Sequence, residues 1–265
     1  MLRLLLINLF VFLIQFHGMG QKLVMEQKVD ANTVYLDHLN QIYLLDKKEH
    51  SICKYDISWN LLSKTSFKQG WDQALLDVSD PFKILMFYPG DYKIRMLDAQ
   101  LNEIGSYEEP DLNEQAAVCY YSTDQIAIYS NKILKLKNYL DGSEVQSALI
   151  IQSINNDNIK LPKLIQNNGF IYLFQPGVGI TRFTQQLFED KTWKYNSMGA
   201  VSVVGNYIYV IEGTRLLQIE TLSMKESLIY SFGENAISFA VNSKYAVILD
   251  AVSYTHLTLP TNREV

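Results

Sequence analysis

Few residues in this chain could do chemistry, and their spacing limits what that chemistry could be. Of four histidines, His17 sits in an apolar N-terminal run and His256 near the C-terminus, leaving only His38 and His50 in the body of the chain. A shared zinc ion or a Ser-His-Asp triad needs groups converging within coordination or hydrogen-bond reach. His38 and His50 fall in turns expected at opposite ends of one hairpin, so both read as surface-loop histidines. Carboxylates could instead serve a glycosidase or a calcium site. Asp72, Glu108, Glu109, Asp111, Asp157 and Glu234 fall, with Trp71, Asn113, Asn155, Asn196 and Asn235, in segments that join one strand group to the next.

If those segments share one face, Trp71, Asp72, Glu108, Glu109, Asp111, Asp157, Asn196 and Glu234 form a candidate ligand-binding set. The plainer reading is that exposed turns are polar because turn backbone needs such side chains. The ordered calcium spacing Asp-x-Asp-x-Asp-Gly is missing. FEDKTW keeps only Thr192-Trp193 of a sialidase-type Asp box, and PGVG, Pro176 to Gly179, lacks the helix and Lys of a phosphate loop. No GxSxG nucleophile elbow occurs. Sequence therefore assigns no catalytic residue, no metal ligand and no cofactor.

The elements that must position these residues repeat. NQIYLLDKKEHSICKYD, FKILMFYPGDYKIRMLD, DQIAIYSNKILKLK, GFIYLFQPGVGITRFT and NYIYVIEGTRLLQIE are strand-turn-strand units closing at Tyr55, Leu97, Leu136, Phe183 and Ile219, spaced 42, 39, 47 and 36 residues apart. Each is preceded by a short apolar run ending in turn formers: TVYLDHLN, ALLDVSDP, AAVCYYSTD, KLIQNN and AVSVVGN, with a sixth, SFAVNSK, beyond them. More polar outer strands follow, such as NLLSKTSF and LNEIGSY. A period near forty with four short strands per unit predicts an all-β chain folded as a β-propeller. A sandwich also spaces short strands regularly, but does not require one strand order to recur in phase. The aromatics of the repeats, among them Tyr43, Phe87 and Tyr172, are expected in the core rather than around a ligand.

The stretch Ile42 to Asp56 is similar to the strand-turn-strand core of NHL-type six-bladed propellers, with an Ile-Tyr-x-x-Asp strand and a second strand ending in hydrophobic-Asp. The likeness weakens where Lys137, Thr184 and Glu220 replace the closing Asp. The span Val34 to Lys225 also resembles uncharacterised secreted propellers of Bacteroidota. That resemblance implies six blades and export; it carries no catalytic residues.

Composition agrees with a globular β domain: 48% hydrophobic residues, 17 Tyr and 12 Phe, and only 6 Pro. A net charge of −5 without a run of like charge argues against nucleic acid as a partner. Residues 1–20, with Arg3 before an apolar run from Leu4 to Phe16, read as a signal peptide. The mature chain is then expected in the periplasm or outside the cell, with no transmembrane segment. Cys53 and Cys119 lie in strands of different repeats and are expected to remain two separate buried thiols.

The last fourteen residues, VSYTHLTLPTNREV, break the pattern. Val252 to Thr261 resembles a translated transposon-type sequencing adapter, so residues 21–251 are read as one propeller domain whose last blade is incomplete, and 252–265 as an artefact. Lys22 to Val29 is a candidate strand lent by the N-terminus to close the ring. Two functions follow. In the first, the protein is an exported, non-enzymatic module of the cell envelope binding a protein, peptide or glycan. In the second, it is a six-bladed hydrolase or lyase with acidic residues around the axial mouth.

Overall fold

The computed structural model describes residues 23–46, 48–67, 74–88, 91–151, 161–194, 200–232, 236–250 and 254–258. The expected signal peptide, residues 1–20, lies outside them. Among the described residues all helical or extended structure is β. The first sheet shows the unit: Thr33–Leu36, Ile42–Asp46, Ser51–Tyr55 and Leu61–Ser66 pair in sequence order, each antiparallel to the next. Four more sheets repeat it, opening with Leu75–Asp77, Ala117–Tyr120, Lys163–Asn167 and Val201–Val204. Each expected apolar opening becomes a first strand, and each polar run a fourth.

One further four-stranded sheet is built from both ends of the chain. Ala236–Val241 and Tyr245–Asp250 are followed by Tyr254–Thr258, with Leu23–Gln27 outermost. The N-terminal loan expected from Lys22 to Val29 is thus taken up. Tyr254 sits opposite Leu249 on one side and Gln27 on the other, so the segment read as adapter-derived occupies the place of this sheet's third strand. Two uncovered edges each present free N–H and C=O groups, and a Tyr- and Thr-bearing segment suits the backbone that pairs them.

Six apolar clusters hold the sheets together, each shared by neighbouring sheets. One packs Tyr43, Leu45 and Ile52 of the first sheet against Leu76, Ile84 and Met86 of the second. Another packs Ala240, Val247 and Leu249 of the composite sheet against Val34, Leu36, Ile42 and Leu44 of the first, closing the ring. The second strands are apolar on both faces for this reason: Ile42 to Leu45 are all buried.

The recurring Asp after the third strand has a local cause. Asp56 accepts the backbone N–H groups of Ser58 and Asn60 at 2.8 and 2.9 Å, and Asp98 those of Gln100 and Asn102 at 2.8 Å each. These caps hold a turn whose fourth residue takes a left-handed backbone, φ 65° at Trp59 and 67° at Leu101. That conformation is unfavourable for a side chain, but Leu101 is buried between the first two sheets. Thr184 replaces Asp in the fourth sheet, and its hydroxyl still accepts Phe188 N–H at 3.2 Å.

The outer edges are blunted. In all five sheets that pair in sequence order the register slips between third and fourth strands, leaving Leu62, Ile104, Val145, Asp190 and Ile229 without an opposite residue. Such bulges twist an edge away from pairing with another chain.

Candidate functional site

The first strands of all six sheets stand around a common axis and enclose a cavity of about 520 Å³. Their residues alternate: Leu76, Leu164 and Val203 are buried between sheets, while Leu75, Asp77, Val118, Lys163, Ile165 and Ser202 are half-buried and line the cavity. A strand period of two produces this split, one face toward a neighbouring sheet and the other toward the axis.

Polar side chains on or just after these strands tie several neighbouring sheets together. Asp77 accepts Tyr120 N–H of the third sheet at 2.7 Å, as well as Ser79 N–H. Lys163 Nζ donates to Val201 O of the fifth sheet at 3.1 Å. Asn167 both donates to Gly205 O at 2.7 Å and accepts Gly205 N–H at 3.1 Å. Across the ring closure, Val34 N–H donates to Ser238 Oγ at 3.2 Å, and Asn242 donates to Asp37 O at 2.8 Å. First strands have no further strand on the axial side, so their free backbone groups need such partners.

Asp77 and Lys163 are the charged groups that matter electrostatically. Burial raises the Asp77 carboxyl above its ordinary range, against the opposing pull of the two N–H donors and of Lys163. Burial likewise pushes the Lys163 ammonium down to about 8, and Asp77 only partly restores it. Their exposed area is intermediate, yet both are enclosed by the ring and shielded from bulk water. Each therefore prefers its neutral form more than an exposed side chain does. Nearby, burial foremost and then Asp77 raise the Cys119 thiol, which is an inert interior group rather than a nucleophile.

Three residues of the sequence-derived set are described. Glu108 is exposed and ion-paired with Lys93 at 3.4 Å. Glu109 is buried, 1% exposed, and is held by Lys137 at 2.6 Å and the Tyr107 hydroxyl at 3.0 Å. Asp111 bonds Lys135 at 2.6 Å, which holds its carboxyl below the usual range. Glu109 and Asp111 thus share a loop but point to lysines of the strand Ile133–Asn138. Trp71, Asp72, Asp157, Asn196 and Glu234 lie outside the described residues. Among the described residues no group of three or more His, Cys, Asp or Glu could hold a metal ion.

His38 lines the rim of the cavity and is exposed, whereas His50 is half-buried with its ring edge against Phe67 at 5.9 Å. His50 is therefore a packed residue, not the surface histidine expected. Cys53 and Cys119 are free and lie in the first and third sheets; Cys119 is buried and Cys53 only half so. Sequence reasoning missed Asp77 and Lys163 because each sits in a run read only as an apolar opening. The usable signal was a charge on the same strand face as Leu75 or Ile165.

No family model matches the chain, and neither does any curated protein sequence. Solved structures do share its fold. Virginiamycin B lyase from Staphylococcus aureus is 10% identical, with a TM-score of 0.60 over 89% of this chain and 99% of that one. A protein of unknown function from Bacteroides thetaiotaomicron is 10% identical, with a TM-score of 0.65 over 91% of this chain and 72% of that one. The WD40 domain of Pan2 from Neurospora crassa is 8% identical, with a TM-score of 0.56 over 89% and 90%. The chain is a β-propeller, and at these identities the likeness speaks to fold alone.

Proposed function

We propose that the protein is an exported, non-enzymatic β-propeller acting as a binding or scaffold module in the cell envelope, with its ligand received in the axial cavity. One observation carries the reading: charged groups lining the cavity are anchored to backbone, Lys163 to Val201 O, Asp77 to Tyr120 N–H and Asp37 to the N–H groups of Leu39 and Gln41. Groups fixed this way brace the ring and orient a ligand; they are poorly placed to carry protons through a reaction cycle. Export follows from the apolar run Leu4 to Phe16, and the NHL-like resemblance of Ile42 to Asp56 supports a six-bladed count, with the composite sheet as one blade. Partners are an envelope protein, peptide or glycan. Among the described residues no helix is long and apolar enough to cross a membrane.

A second reading, a propeller hydrolase or lyase, draws on the raised Asp77 carboxyl beside a lowered Lys163 in one cavity. Perturbed acid and base groups in a cleft mark catalytic sites often enough to test. Prolonged incubation with virginiamycin B, the substrate named for one structural neighbour, separates the two for that substrate class. Intact antibiotic is expected. Conversion that disappears in Asp77→Asn would move the assignment to a lyase.

A further inference from the structure

We propose that the axial cavity takes a small zwitterion of the amino-acid or short-peptide class, with Lys163 meeting its carboxylate and Asp77 its ammonium. This deepens the binding-module reading and rests on it. The two charges come from different sheets, the second and the fourth, and face one space. They sense each other electrostatically, yet no ion pair between them is found among the described residues.

Each retains capacity for a ligand. An ammonium has three donors and a carboxylate about four lone-pair sites. Lys163 donates to Val201 O, and Asp77 accepts from Ser79 and Tyr120. The remaining capacity is directed toward a cavity with apolar walls at Leu75, Val118, Ile165 and Val204, while a further lining carboxylate, Asp37, is buried and already answered by Leu39 N–H, Gln41 N–H and the Tyr43 hydroxyl.

The pairing of charges selects the ligand. A simple anion that satisfies Lys163 brings a negative charge toward Asp77, and a simple cation does the reverse. A neutral apolar molecule leaves both groups desolvated without a counter-charge. A zwitterion compensates both at once, and its side chains meet the apolar walls. At about 520 Å³ the cavity falls within the range of roughly 300–1,000 Å³ typical of small-molecule sites.

Calorimetric titration of the chain with leucyl-leucine, set against N-acetyl-leucyl-leucinamide, tests this directly. The two probes share side chains and differ in their terminal charges. Leucyl-leucine is expected to bind, and the capped analogue about ten-fold more weakly or worse. Lys163→Met and Asp77→Asn should each reduce leucyl-leucine affinity by a similar factor. Val118→Trp, which fills the cavity and leaves both charges in place, should abolish binding while circular dichroism shows the fold retained. Equal affinity for both probes would overturn the zwitterion assignment while leaving a binding cavity intact. Absence of binding by either probe would also overturn it. Failure of the non-enzymatic reading is seen separately, as antibiotic conversion.

Discussion

The carboxylate of Asp77 reaches across a sheet boundary to accept the backbone N–H of Tyr120 at 2.7 Å. The acceptor sits at the end of one first strand and the donor at the end of the next. Asp77→Ala leaves that N–H, and the N–H of Ser79, without their acceptor. A buried unmet donor costs about 1–3 kcal/mol, partly offset by relief of the desolvated charge. A net loss of about 1–2 kcal/mol is expected in urea denaturation, with Asp77→Asn losing less because its amide oxygen still accepts. No loss for Asp77→Ala would mean that the contact does not brace the ring.

Lys163 gives a pH signature. Its folded value of about 8 lies below the ordinary 10.5, so between those values the unfolded chain binds a proton that the folded chain does not. Stability from this group therefore rises with pH across that window, and at pH 7 the buried charge is a net cost. Lys163→Met removes the charge and also the bond to Val201 O. It is expected to be more stable than wild type at pH 7 by on the order of 1 kcal/mol. That advantage should shrink by pH 10, where wild-type Lys163 is neutral when folded. The difference between the two proteins isolates this effect from the tyrosines, whose raised values act in the opposite direction at higher pH. A constant difference from pH 7 to 10 would contradict the assignment.

Backbone demands predict opposite outcomes at two turns. Gly179 has φ 130°, and a Cβ there would lie 2.0 Å from Trp193 O. Gly179→Ala must displace the fourth strand and is expected to cost at least ~3 kcal/mol. Lys132 follows Asn131 in a two-residue hairpin turn, with φ 63° and 52°. Both side chains are exposed, so Lys132→Gly creates the preferred Asn-Gly pair without loss of packing. A gain of about 0.5–1 kcal/mol is expected, seen as a rise in melting temperature. A destabilised Lys132→Gly protein would show that the turn is not limited by backbone strain.

Much of this fold was legible because the ring repeats the same physics. Ile-Tyr-Leu-Leu at 42–45 must be buried on both faces, and the turn former Asp56 must follow a strand. Both facts recur with the period of the chain. Register was harder to see: nothing in LLSKTS or EIGSYE marks Leu62 or Ile104 as the bulged residue, since bulging depends on the facing strand. The composite sheet was half visible. The N-terminal loan could be read from an unmatched strand-like segment, whereas pairing of Tyr254–Thr258 depends on edges that exist only once the ring has formed. The site was least legible. Loop carboxylates stand out in a sequence, but Glu109 and Asp111 are answered by Lys137 and Lys135. Asp77 and Lys163 look like ordinary turn and strand residues until the first strands gather around one axis.

The central claim is that ligand binds at the axis, within the ring. Hydrogen-deuterium exchange with and without saturating leucyl-leucine tests it most directly. Slower exchange is predicted in residues 75–79 and 163–167, around Asp77 and Lys163, with no change in residues 108–116. Protection confined to 108–116, the loop of Glu108, Glu109 and Asp111, would contradict it.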